Sequence, residues 1–124
     1  MSGTCVVDYV RSPSTQATKG ALAGVRQDDL AASVIRRLTC RDIFDVNEIE
    51  DVLSGCAFTE SEQGLNIGRT AGLLAGLPQT VGGATVNRWG GRSKNAIHMA
   101  VGSICMGSGE VFVAGAGWKA CRVY

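Results

Sequence analysis

Four short runs of β-branched and aliphatic residues punctuate this chain, and between them lie stretches whose apolar residues recur at helical spacing. The runs are Thr4–Val10, Asp51–Phe58, Val81–Asn87 and Val111–Ala114. Strands that alternate with helices favour a parallel sheet, because each crossover returns the chain to the same edge of the layer in the same direction. The predicted class is therefore α/β, ordered βαβαβαβ, with a mostly parallel sheet flanked by helices. The first run supports this directly: Cys5, Val6, Val7, Tyr9 and Val10 are interrupted only by Asp8, the pattern of a strand buried on both faces.

The intervening stretches carry helix signals. Arg11 to Gly24 is a loop rich in Ser, Thr, Gly and Pro13. Asp28 and Asp29 then open a helix at its positive end, Leu30, Ala31, Val34, Ile35 and Leu38 recur on one face, and Arg36 and Arg37 sit near its negative end. Asp45–Glu50 reads as a short helical turn. After the polar loop Glu60–Gly64, Asn66 starts a second helix, which Leu77-Pro78 ends. Gly68, Gly72 and Gly76, four apart, form a stripe that admits another backbone closely. The same spacing is a membrane signal only within an apolar span, and the run near Leu73–Leu77 falls far short of the roughly 20 residues that a span needs. A third helix runs from about Ser93 to Met106, with Ala96, Ile97, Ala100, Val101, Ile104 and Cys105 at helical spacing, and its small residues predict tight burial. Gly107–Glu110 turns the chain into the last run; Gly115–Tyr124 carries no clear pattern.

Composition narrows the partners. Twelve Lys and Arg against eleven Asp and Glu give no electrostatic case for nucleic acid or an anionic membrane. A chain of 124 residues, 45% hydrophobic but only 6% aromatic, suits a single domain spanning residues 1–124 with an aliphatic core. Cys5, Cys40, Cys56, Cys105 and Cys121 are scattered without paired spacing, which predicts free thiols in a reducing, intracellular compartment, the cytoplasm first. Met1–Asp8 lacks the basic start and apolar core of a signal peptide. His98 is the only histidine and has no ligand pair near it, so no metal site is expected. Cys56 reads as a small core residue and His98 as a packed or hydrogen-bonded one.

One stretch has the shape of a site. Thr85 to Ala100 reads as a strand end, a tight glycine turn and a helix start, the place where an α/β protein holds a nucleophile or an anion. Its apex is Gly90-Gly91, with no Ser, Cys or Thr. Arg92 and Lys94 follow at the helix start, where two cations beside backbone N–H groups form a candidate anion site.

These residues carry a resemblance. Val6-Val7-Asp8 with Arg11-Ser12-Pro13, Gly20-Ala21-Leu22, Gln63-Gly64 with Asn66 and Arg69, and Gly76-Leu77-Pro78 are similar to the N-terminal portion of the thiolases, which are acetyl-CoA acyltransferases. The likeness is strongest over Thr85-Val86-Asn87-Arg88-Trp89, then Gly91, Ser93 and Asn95-Ala96, and Val113-Ala114-Gly115 matches a later strand. The resemblance implies a two-step acyl transfer in which a cysteine at a helix start is acylated and coenzyme A, a substrate rather than a resident cofactor, accepts the group. A helix N-terminus lowers a thiol pKa, which is why the nucleophile belongs there.

The chain departs from that pattern at the decisive position. Gly90 stands where the resemblance places the nucleophilic cysteine, Arg92 replaces a small residue and Lys94 an apolar one. Ala116-Gly117-Trp118-Lys119-Ala120-Cys121 stands where the family carries a Glu-Ser-Met-Ser run. The family's coenzyme A-binding loop domain and its second half, with a catalytic His and a second Cys, lie outside these 124 residues, and His98 does not match that histidine. The expectation is a catalytically silent thiolase-like fragment that self-associates or docks onto another chain, because the helix face bearing Ala96, Ala100 and Ile104 would be bare. Two alternatives stand beside it. One is a module in which Arg92 and Lys94 bind an anion or the phosphates of coenzyme A or an acyl-CoA. The other is one part of an acyltransferase completed by another chain.

Overall fold

Val52, Leu53, Ser54 and Gly55 are all buried, because they lie on the central strand of the sheet. The structure is a computed structural model that describes residues 3–16 and 18–116. In chain order it forms α1 (Gln27–Thr39), β1 (Ile49–Gly55), α2 (Ile67–Leu74), β2 (Gly82–Val86), α3 (Arg92–Cys105) and β3 (Val111–Ala116), with short 3-10 turns at Val46–Glu48, Ser61–Gln63 and Trp89–Gly91. The sheet order is β2-β1-β3, all parallel. Leu53 pairs with Ala84 on one side and Ala114 on the other, and a register irregularity falls between Ile49 and Asp51.

The α/β class and the parallel sheet stand as the sequence predicts, but the first predicted strand does not form. Thr4–Val10 is extended and pairs with no strand among the described residues, and Val6, Val7 and Tyr9 are largely exposed. An apolar run becomes a strand only where a neighbour takes up its backbone groups. Here the segment is tied by its one charge instead: Asp8 accepts from Arg41 at 2.8 Å. The observed order is thus αβαβαβ rather than βαβαβαβ. The last stretch, beyond Ala116, lies outside the described residues, as does Cys121.

The helices begin and end where local chemistry dictates. The Asn66 side chain caps α2 by accepting from the Arg69 N–H, and its amide donates to the Gly83 carbonyl. Gly76, at φ +86°, closes α2: its N–H bonds to Leu73 and the Leu77 N–H to Gly72, a Schellman ending that stops the helix before Pro78 does.

The sheet divides the interior in two. On one face α1 and α2 pack Ala31, Ala32, Ile35, Ala71 and Ala75 against Val52 and Val113. Gly68 lets α2 lie directly on the strands; a Cβ there would stand 2.4 Å from the Ala84 carbonyl oxygen. On the other face α3 alone packs Ala96 and Ala100 against Leu53 and Val86. This corrects two expectations. Ala96 and Ala100 are not the bare residues of α3, since they face the sheet; and Ile97 and Val101, expected inside, are exposed together with Met99. Spacing identifies a helix's apolar residues, but α3 has apolar residues over more of its surface than one sheet can cover.

Candidate functional site

β2 ends at Val86, and the next five residues make the turn into α3. Asn87 anchors it: its side-chain amide donates to the Ala57 carbonyl at 3.2 Å, and its Oδ1 accepts the Trp89 N–H at 3.2 Å. Trp89 sits at φ +44°, in the left-handed region that a bulky residue rarely occupies. Three contacts hold it there besides Asn87. The Phe58 ring meets it edge to face at 5.7 Å. The Arg92 guanidinium donates to its carbonyl at 3.0 Å. The Arg88 carbonyl accepts the Gly91 N–H at 2.9 Å, closing the 3-10 turn. Strain retained by surrounding contacts is a mark of a built site.

Gly90 lies exposed at this turn, one residue before the Gly91 cap of α3. Its φ is not positive, and a Cβ built on it meets no atom within 4 Å. The backbone therefore does not require glycine: the position has room for a side chain and supplies none. The structure separates the two cations. Lys94 lines an open groove of about 300 Å³ with Arg88, Gly91, Asn95 and His98. Arg92 instead turns back to Trp89, and its Nε is buried without a hydrogen-bond partner among the described residues. His98 is exposed on α3.

Cys56 is buried beneath the turn, as the sequence reading expects. Its backbone N–H bonds to Val86, and its thiol donates to the Phe58 carbonyl at 3.2 Å. Burial pushes this thiol up from its ordinary pKa, against the hydrogen bond to Phe58 and the charge of Arg92, and so disfavours the thiolate.

Asn87 and Arg88 stand in the stretch of strongest likeness and Phe58 in the second predicted strand, but no role for any of them is read from the sequence: Asn87 and Phe58 hold the turn, and Arg88 donates to Asn95 Oδ1 at 2.7 Å. An Asn directly after a strand is a turn signal on its own. Phe58 and Arg88 become visible only when β1 and β2 bring their ends together.

Residues 4–119 match the family described as thiolase, N-terminal domain. The chain is similar to the 3-ketoacyl-CoA thiolases of Acinetobacter baumannii (strain AYE), at 49% identity over 110 residues, and of Acinetobacter baylyi, at 47%. It is 46% identical to that of Psychrobacter arcticus over the same length. Each match covers 89% of this chain and 28% of the relative, so the chain spans less than a third of the length of the curated relatives it matches. No helix among the described residues is long and apolar enough to cross a membrane.

Proposed function

This chain belongs to the thiolase family, through its N-terminal domain, and from that premise we propose that it is a thiolase-fold unit without acyl-transfer chemistry of its own, whose role is to dock. The observation that carries this reading is Gly90. A strand end, a strained turn and a helix start meet at Gly90, a geometry that supports reading this position as the one where the family's nucleophile stands, and the residue there has no side chain. Without a nucleophile at that position the family's acyl-enzyme route has no starting group there, and the described groups nearest the turn do not supply one. Cys56 is buried with its thiol pushed up by that burial, and His98 lies on the exposed side of α3. Arg92 and Lys94 enter this reading as charges at the helix start rather than as a shared anion site, because the groove takes in Lys94 while Arg92 turns back to Trp89.

Intact-mass spectrometry after incubation with acetyl-CoA tests the proposal. The expected result is an unmodified chain and no release of coenzyme A above the uncatalysed rate. A stoichiometric adduct of one acetyl group, mapped to a single residue, would return the chain to the acyl-transferring members of its family.

A further inference from the structure

After β1 ends at Gly55 the chain travels to the Asn66 cap of α2 through residues 57–65. Both ends of this passage are fixed to β2. The Cys56 N–H bonds to the Val86 carbonyl at 2.9 Å, and the Asn66 amide donates to the Gly83 carbonyl at 2.6 Å. Between those anchors the chain is lightly held. Gln63 is the only buried residue of 57–65, and no residue of the segment belongs to either hydrophobic cluster. The Gln63 and Gly64 N–H groups bond within the segment, to Glu60 and Ser61. Ser61 and Leu65 stand at φ +52° and +58°, left-handed values that strain a residue with a side chain. Low apolar burial and local hydrogen bonding mark a segment that opens before the rest of its fold.

Two latches hold it down, besides the Asn87 amide on the Ala57 carbonyl next to the first anchor. One is the Phe58 ring on Trp89. The other is Glu62, which reaches the start of α1. One of its carboxylate oxygens accepts the Gln27 N–H at 3.2 Å, and the other lies 3.7 Å from the Arg26 guanidinium. A carboxylate from a distant part of the chain thus answers the positive end of that helix. Cys56 lies beneath the segment. Its thiol meets the Phe58 carbonyl at 3.2 Å and the Gln63 side-chain oxygen at 3.6 Å, and both partners belong to 57–65.

We propose that residues 57–65 are a flap that opens as a unit while the rest of the fold stays closed, and that its opening uncovers the Cys56 thiol and frees Trp89 and the turn at Gly90. Glu62 links the flap to α1, so the start of α1 acts on the turn through it. The proposal goes beyond the docking reading and does not rest on it: an acetyl adduct would leave the flap standing, and a flap that fails would leave Gly90 without a side chain.

The test takes the full chain with Cys56 as its only cysteine, the other four changed to Ser. Iodoacetamide alkylation is followed by intact mass at rising urea. A thiol uncovered by a small local opening reacts at a rate that urea barely changes, whereas one uncovered by unfolding reacts faster from the first addition. The expected result is a flat rate up to about 1 M urea and a steep limb beyond it. Glu62→Ala and Phe58→Ala are each expected to raise the flat rate about tenfold, with the circular dichroism of the helices unchanged. Ile35→Val, in the core beneath α1, is expected to move the steep limb alone. A rate that climbs with urea from the start overturns the proposal. That outcome is read with both latches in place, so a variant that fails to fold does not shelter the flap. A flat rate that either latch variant leaves unchanged overturns it too. So does a flat rate that Ile35→Val raises as much as they do, because thiol exposure would then follow overall stability.

Discussion

On one face of the sheet, α1 and α2 enclose a cluster of ten buried hydrophobic residues; on the other, α3 alone encloses four. Their helices differ in the same sense. α1 begins with Asp28 and Asp29 and ends with Arg36 and Arg37, each charge answering the nearer end of the dipole. α3 begins with Arg92 and Lys94, ends without a basic residue, and leaves Ile97, Met99 and Val101 exposed. The first face is the more extensively packed, down to the glycine contact of α2 with the strands and the Asn66 cap, although Leu73 and Leu74 at the end of α2 are exposed. The second is built on its inner side and unanswered on its outer side.

One substitution, made once on each face, tests that contrast most sharply. Gly68→Ala places a methyl 2.4 Å from the Ala84 carbonyl oxygen and 2.8 Å from that of Val52. These are backbone atoms, so the helix must lift off the sheet, at a cost of about 1–3 kcal/mol. Gly102→Ala on α3 meets nothing within 4 Å. It should stabilise by roughly 0.5–1 kcal/mol, the gain from replacing glycine in a helix interior. Urea unfolding of both variants checks the pair. Equal signs would mean that the two faces are packed alike and that the contrast is wrong.

The sequence made the first face legible. Acidic start, basic end and helical spacing describe α1 correctly and the Asn66 start describes α2, because those signals act within a few residues of chain; the end of α2 comes at Gly76 rather than at Leu77-Pro78. The turn after β2 was legible too, since glycine between a strand and a helix has a local meaning. Two things were not. Thr4–Val10 has a strand's composition, but pairing is a property of a neighbour, and the run itself cannot say whether one is there. The side of α3 that meets the sheet was equally hidden. Ala96, Ile97, Ala100 and Val101 are all apolar, and only the small space over Leu53 and Val86 selects the alanines. Trp89 at a positive φ could not be read from its type, because the contacts with Phe58, Asn87 and Arg92 that hold it come from separate parts of the chain.

Acid should unpick the α1 face first. Arg26 donates to both carboxylate oxygens of Asp28, at 3.1 and 2.8 Å, while the Asp29 N–H bonds to Asp28 as well. The Arg26 hydrogen bond is the main reason that the Asp28 carboxyl lies below its ordinary pKa, burial working the other way. A carboxyl with a lower pKa in the folded state than in the unfolded chain contributes stability in full above the unfolded value. That contribution is lost as pH falls through the folded one. Asp28→Asn should therefore cost on the order of 1 kcal/mol at neutral pH, the scale of a charged hydrogen bond. It should also flatten the loss of stability below about pH 4. Denaturation midpoints between pH 7 and pH 3 test this; an unchanged acid limb would remove Asp28 from the account of why the α1 face is the firmer one.

The smallest expected effect on stability comes at Gly90, and there the comparison turns from packing to chemistry. Gly90→Cys adds a side chain where the backbone is not left-handed and nothing lies within 4 Å. The fold should therefore tolerate it within about 0.5 kcal/mol, as for a surface substitution. The charges that leave α3 unanswered as a helix would now act on a thiol. The start of α3, with Arg92 and Lys94 beside it, favours the thiolate. The introduced thiol should titrate below the ordinary cysteine value of about 8.5, whereas Cys56, buried beneath the same turn, is pushed the other way. Alkylation rates measured against pH would resolve the two thiols within one protein. If the introduced thiol titrates at the ordinary value or above it, the start of α3 does not favour a thiolate at position 90. If it titrates below, the start of α3 provides a field that stabilises a negative side chain at position 90, where the chain itself carries none.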